Sequence, residues 1–344
     1  MLPGLSSVSF DISMEVGVIG HWSPSRWAAA LVAGVALLVA SASADAQPYP
    51  AKPVRVLVGT AAGSAPDTIA RMTGQWLADR LGQPFIIENR PGAGSNIAIE
   101  AVARAQPDGY TLLLVAPSAV INATLYQKLS YNFLRDIAPV AGVFQAPEAV
   151  MIHPSVPARS LQEFVAYAKA NPGKLNMGSS GNGSGSHLAG EEFMMLSGAR
   201  LTHVPYRGGG QVVTDLLGGQ IEVAFLALGL AIEHIKTGKI LVLGVTTAKR
   251  SVAAPELPAV AEVVPGYDFG TWFGFGAPKE TPVAIVARLN AEINAFLADA
   301  ATQSRLLAFG GEAFGGTAEA FGRFLIEQTE KKGKVVKAAG LKVE

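Results

Sequence analysis

"VRVLVGTAAGSAPDTIARMTGQWLADRLGQPFIIENR", residues 54–90, sets the fold class of this 344-residue chain. Val54–Gly59 is a short β-rich run followed by a glycine-bearing loop, "TAAGSAPD". From Asp67 the apolar residues Ile69, Met72, Trp76, Leu77 and Leu81 recur on one helical face, and Gly82 with Pro84 ends the helix. Phe85–Arg90 is a second strand and "PGAGS" its turn. A helix over about 96–105, the turn "PDG" and a third strand, "YTLLLVA", complete the pattern. Strand, helix, strand, helix, strand at this spacing predicts a parallel α/β sheet with right-handed crossovers.

A second α/β set begins at "APEAVMIHPSV" (Ala146–Val156). "SLQE" (Ser160–Glu163) has the form of a capping box ahead of the apolar face Leu161, Phe164, Val165 and Ala168. "LNMGSS" reads as a strand end that runs into "GSSGNGSGSHLAGEE" (Gly178–Glu192), a Gly/Ser loop followed by a helix from about His187. Further strands are predicted at "LTHVPY", "IEVAFLAL" and "ILVLGVTT". After "TWFGFGAP" a last helical pattern has Thr281 as cap, Pro282 in the first turn and Ile285, Leu289, Ile293 and Phe296 on one face. Two α/β lobes follow, with loops at the carboxyl ends of their strands, where such folds bind ligands.

The start of the chain belongs to neither lobe. Arg26, the apolar run Trp27–Ala40 and "SASADAQ" describe a secretory signal peptide over residues 1–46, with Met14 as an alternative start. Its removal takes away Arg26, Asp11, Glu15 and Asp45 and leaves 26 Lys+Arg against 24 Asp+Glu. That near-neutral balance gives no electrostatic footprint for nucleic acid or an anionic membrane. The sequence contains no cysteine, which excludes disulfides, thiolate metal sites and a Cys nucleophile. The expected location is the periplasm.

Familiar catalytic patterns fail. No serine carries glycine two residues before and two after it, "GNGSGS" lacks the third glycine of a dinucleotide loop, and no Gly-Lys pair precedes Ser or Thr. The five histidines are scattered; His187 and Glu191 can share a helix face but do not make a metal site by themselves. Two loop-to-helix junctions remain, "GTAAGSAPD" and the Gly/Ser loop. The start of a helix has free N–H groups and a partial positive charge, so it can hold a carboxylate without an arginine. Small residues let a ligand approach the main chain, and Ser179, Ser180, Asn182, Ser184 and Ser186 add side-chain donors. An i,i+4 pair of Asp67, as helix cap, with Arg71 fits the first junction equally well.

The junctions carry a resemblance. In order, "YPAKPVRVLVG", "GSAPDTIAR", "IIENRPGAGSNIAIEAVARAQPDGYTLLL", "GSSGNGSGSHLAGE", "HVPYRGGG", "DLLGGQIEVAF", "GVTTAKRSVAAPELPAVAE" and "WFGFGAP" resemble the Bug family, the periplasmic solute-binding proteins of tripartite tricarboxylate transporters. The resemblance implies a two-lobed type II periplasmic-binding-protein fold with the ligand cleft between the lobes. Lobe one would combine residues 47–145 with 272–344, and lobe two would be 146–271, with crossings near Gly142–Ala149 and Gly270–Gly274. The implied ligand site takes Thr60, Ala62, Gly63, Ser64, Ala65, Asp67 and Ser118 from the first lobe. From the second it takes Ser179, Ser180, Asn182, Gly183, Ser184, Tyr206 and Leu226.

The implied role is not enzymatic. It is capture of a small organic acid (a di- or tricarboxylate, an amino acid or an aromatic carboxylate) by a monomer that delivers it to membrane transporter subunits, with no cofactor, metal or nucleic acid. The chain departs from the family in having Gly59 and Thr60 where a proline and an aromatic residue are usual, and Gly63-Ser64 in place of a Gly-Gly pair. "LALGLA" (Leu226–Ala231) replaces residues that are often polar, which suggests a less polar acid. Two rival readings are a sensor component of the same fold and a secreted hydrolase using Ser180 or Ser184 with His187.

Overall fold

The computed structural model of the chain describes residues 49–235 and 238–343; the expected signal peptide and Met14 lie outside the described residues. Elements β1 (Val54–Val58), α1 (Ala65–Leu81), β2 (Phe85–Asn89), α2 (Asn96–Ala103) and β3 (Thr111–Val115) follow in the predicted order. β1 pairs in parallel with both β2 and β3, as alternating strands and helices require. Helix α1 starts at Ala65 with Ser64 as its cap residue, so Asp67 stands inside the first turn and not at the cap. Gly82, left-handed at φ 74°, ends it.

Helices α3 (Ser118–Leu125) and α4 (Phe133–Asp136) lead into β4 (Ile137–Ile152). The sequence pattern starts a strand only at about Ala146, whereas the strand begins at Ile137 and includes Pro139 and Gly142. Bulges at Pro139/Ala141 and Gly142/Phe144 absorb both residues, and the strand continues through them. There follow α5 (Leu161–Ala170), β5 (Asn176–Ser179), α6 (Gly185–Ser197), β6 (Thr202–Pro205), α7 (Gly209–Leu217), β7 (Val223–Ala227), α8 (Leu228–Ile235) and β8 (Leu241–Val245). The chain ends with β9 (Gly270–Pro278), α9 (Val283–Ala298), α10 (Ala300–Ala308), β10 (Glu312–Ala313) and α11 (Ala318–Ala338).

β4 belongs to two sheets. Its first half lies antiparallel to β9, ending at the pair Pro147–Gly270, with β10 on its other side. Its second half, from the pair Glu148–Ala227, lies antiparallel to β7 and β8. The parallel trio β6-β5-β7 of the second sheet repeats β2-β1-β3 of the first. β1 and β5 are therefore equivalent strands, and each runs into one of the two glycine-bearing loops. From Val140 to Ile152 β4 is buried except at half-buried Gln145, and Glu148 is the one charged residue in that stretch.

Three apolar clusters hold these layers. One packs α1 and α9 on the first sheet through Ile69, Leu77, Leu289, Ile293 and Phe296. A second packs α7 and the start of α8 on the second sheet through Val212, Leu216, Leu226 and Leu228. The largest spans both sheets under α2, α3, α5, α6 and α11.

Two predicted caps differ in detail. Ser160 accepts the Glu163 N–H at 3.2 Å, but the Glu163 carboxylate turns to the N–H of Arg159 at 2.6 Å. Thr281 does not cap α9: the residue before the helix is Pro282, and the buried Thr281 hydroxyl has no partner.

Candidate functional site

At the first junction the loop is held from below. Asp67 is 2 % exposed. Its carboxylate accepts the Gly63 N–H at 2.9 Å, Arg71 Nε at 3.0 Å and Asn89 Nδ2 at 2.9 Å. Asn89 Nδ2 also reaches the Thr60 carbonyl at 3.1 Å, and its Oδ1 accepts from Arg71 at 3.1 Å. Burial alone raises the Asp67 carboxyl, but the bonds from Arg71, Gly63 and Asn89 outweigh it and hold the group below its usual value. The expected Asp67–Arg71 pair is present, and its task is to brace the loop. Thr60 and Ser64 bond to each other through their hydroxyls at 2.8 Å. Ala62, Gly63 and Ala65 are exposed.

Gly59 explains a departure noted in the sequence. A Cβ there would stand 2.3 Å from that of Ser95, which sits at φ 76° in the turn after β2 and bonds the Gly59 carbonyl. The approach leaves no room for a larger residue. Ser118 opens α3, and with Thr60, Pro66 and Ser95 it lines a cavity of ≈ 10 Å³, about the room of one water.

At the second junction the fastening runs through serine hydroxyls and histidine rings. Ser184 caps α6, accepting the His187 N–H at 3.3 Å, and donates to the Gly181 carbonyl at 2.7 Å. Ser186 accepts the Ser180 N–H at 2.8 Å. His187 Nδ1 accepts the Gly183 N–H at 3.0 Å, which leaves Nε2 to face Glu191 at 3.3 Å. Its ring stacks on His203 with centroids 3.6 Å apart. His203 Nε2 lies 2.6 Å from the fully buried Ser179 hydroxyl. Burial first, then His187, lowers His203 to about 4, against a smaller opposing effect of Glu191; the imidazole is neutral at pH 7.

Other predicted residues are placed as follows. Asn182 is exposed. Tyr206 donates its N–H to the Ser179 carbonyl and its hydroxyl to Asp215 at 2.8 Å, and burial followed by that bond pushes it up to about 12. Leu226 is 2 % exposed and faces the core of the second sheet; of "LALGLA", Ala227 and Leu230 are the exposed residues. Ser180 Oγ and Leu230 Cδ1 converge at the start of α7, 3.6 and 3.0 Å from where a Gly209 Cβ would stand. Leu125 of α3 lies against Gly183, and the Phe309 carbonyl lies against Gly229.

Neither Ser180 nor Ser184 bonds an imidazole, and Ser179, which does meet His203, is fully buried. No acyl-transfer constellation is assembled there. Asn89, Ser95 and His203 were not legible as site residues. Each acts from a neighbouring strand or turn, and only Asn89, at a strand end before a Pro-Gly turn, carries a local signal.

Residues 69–341 match the family model described as "Tripartite tricarboxylate transporter family receptor". A UPF0065 protein of Bordetella bronchiseptica is 36% identical over 313 residues, covering 91% of this chain and 93% of that protein. Protein BugT of Bordetella pertussis is 32% identical, covering 91% of this chain and 98% of BugT. Among solved structures, an R. palustris protein with adipate superposes with TM-score 0.75 at 33% identity, over 86% of this chain and 99% of that one. MatC of Rhodopseudomonas palustris with bound malate superposes with TM-score 0.71 at 30% identity, over 84% and 100%.

Proposed function

The chain belongs to the tripartite tricarboxylate transporter family of receptors, and from that premise we propose that it captures a small organic acid in the periplasm for membrane transporter subunits. It is a binding protein and not an enzyme. The observation that carries the reading is the pairing of two equivalent strands, β1 and β5, each ending in a small-residue loop and a helix start. Such starts present N–H groups without intrahelical partners, and two of them can neutralise one carboxylate.

The proposed lobes are 47–145 with 272–344, and 146–271, and the handover of β4 at Pro147–Glu148 supports that division. Ligand contacts are assigned to the loop Thr60–Ala65 with Ser118, and to Ser180, Asn182, Gly183 and Ser184. Asp67, Ser179, Tyr206 and Leu226 support them from beneath. Leu230 and Ala227 supply an apolar wall, which favours a dicarboxylate with an aliphatic spacer, or an aromatic acid, over citrate. Adipate and malate in the related structures are of the same chemical class. A ligand favours the closed arrangement only by binding it more tightly than the open one. Export by the N-terminal segment and action as a single chain complete the proposal.

Calorimetric titration with adipate, malate, citrate and benzoate tests it. Ser180→Val and Ser184→Val should each weaken acid binding about tenfold or more while leaving a cooperative thermal transition. Unchanged affinity in both variants would remove the second loop from the site. Tight binding of citrate with none of adipate or benzoate would overturn the preference for a less polar acid.

A further inference from the structure

Glu148 is the first residue of β4 in the second sheet, where the strand leaves β9 and meets β7. A carboxylic acid at that place is costly to bury. Its backbone is fixed: the N–H donates to Thr246 Oγ1 at 2.7 Å, and the carbonyl accepts from the Thr246 N–H at 2.9 Å. The side chain is not. Glu148 is 4 % exposed, its Oε2 is buried without a hydrogen-bond partner, and its Oε1 lies 3.2 Å from where a Cβ on Gly185 would stand. Gly185 is the first residue of the thirteen-residue helix α6. The carboxyl, with its Oε2 unpartnered, therefore sits under the helix start that carries the Gly/Ser loop.

The charged groups around it are committed elsewhere. Lys332, on α11, donates to Glu192 of α6 at 3.0 Å and lies 3.6 Å over the Phe269 ring. Lys331 lies 3.4 Å from Glu192 and 3.5 Å from Asp268, and also bonds the Asp268 carbonyl. Tyr267, fully buried, gives its hydroxyl to the Ala189 carbonyl. None of these cations comes within ion-pair distance of Glu148. Burial, only partly offset by Lys332, raises the Glu148 carboxyl to about 8. At pH 7 it is neutral.

We propose that Glu148 sets how strongly the α6 start holds an anionic ligand. Neutral, its carboxyl leaves the positive end of the helix to the ligand's carboxylate. Ionised, it places a like charge beneath the same N–H groups and opposes the ligand. The inference rests on the reading that the α6 loop receives the acid, and it adds a dependence on pH that the two loops alone do not have. By linkage, an acid that is bound less well by the ionised form must raise the proton affinity of Glu148 when it binds.

Calorimetry on the mature protein with adipate and malate, from pH 6.5 to 9.5, decides the matter. Both probes are fully ionised throughout, so their own titration does not intrude. Wild-type affinity should fall by about tenfold between pH 7 and pH 9, and Glu148→Gln should keep its pH 7 affinity over the whole range. Near pH 8 the wild type should take up a proton on binding, read from how the heat depends on the buffer's ionisation enthalpy; burial lowers Lys332 to about 8 as well, so Lys332→Arg, which keeps the charge and does not titrate there, should retain the uptake and carries this arm even if Glu148→Gln folds poorly. Equal profiles for wild type and variant, or no proton uptake, overturn the role of Glu148 while leaving the ligand reading intact. No binding of either acid at any pH removes that reading, and this proposal with it.

Discussion

The loop Thr60–Asp67 is fastened by charge, through Asp67, Arg71 and Asn89, whereas the loop Ser179–His187 is fastened by hydroxyls and two stacked imidazoles. As strings the two are alike: small residues, glycines, then a helix. The difference teaches that a glycine loop acquires its shape from whatever buried group can accept its N–H donors. In the first loop that group is a carboxylate, which tolerates burial because three donors converge on it. In the second it is the Nδ1 of the His187 imidazole, which is stacked on His203.

The largest test of the contrast removes the carboxylate. Asp67→Ala leaves the Gly63 N–H, Arg71 and Asn89 without their shared acceptor and should cost about 2–3 kcal/mol, read from urea unfolding. Because the folded carboxyl is held below its ordinary 3.8, its contribution is complete above about pH 4 and is lost as pH falls through the lowered value. A loss below about 0.5 kcal/mol would mean that the loop keeps its shape without charge.

The second loop should respond over a different window. His203 is lowered from 6.5 to about 4, so the unfolded chain binds the proton more readily. Stability is complete above pH 6.5 and declines as pH falls toward 4, by about 2 kcal/mol given partial exposure. His203→Gln should remove that decline. A wild-type stability that is flat between pH 6.5 and 4.5 would separate the imidazole stack from the fold's acid sensitivity.

The smallest effect distinguishes the two cap serines. Ser184 accepts a backbone N–H of its helix and Ser64 does not. Ser184→Ala should therefore cost about 1 kcal/mol and Ser64→Ala only a few tenths, measured side by side by thermal unfolding. Equal costs would erase the distinction.

Much of this was readable in the residues. The alternation of strand and helix through residue 115 gave the parallel sheet, and the position of each glycine loop after a strand marked both junctions. What escaped was the first half of long β4, where bulges against a neighbouring strand carry Pro139 and Gly142. Leu226 looked like a pocket wall, yet alternation along β7 turns it inward and turns Ala227 outward.

The sequence by itself determined the fold class, the two loop-to-helix junctions and the absence of any cysteine chemistry, because these follow from local periodicity and residue type. Only the tertiary structure decided which buried group holds each loop. Asn89 meets Asp67 and His203 meets His187 because β2 and β6 lie beside the strands that carry the loops. It alone decided, too, that Glu148 lies beneath the start of α6. Those distances belong to sheet order and strand register, which nearest-neighbour patterns along a chain do not encode.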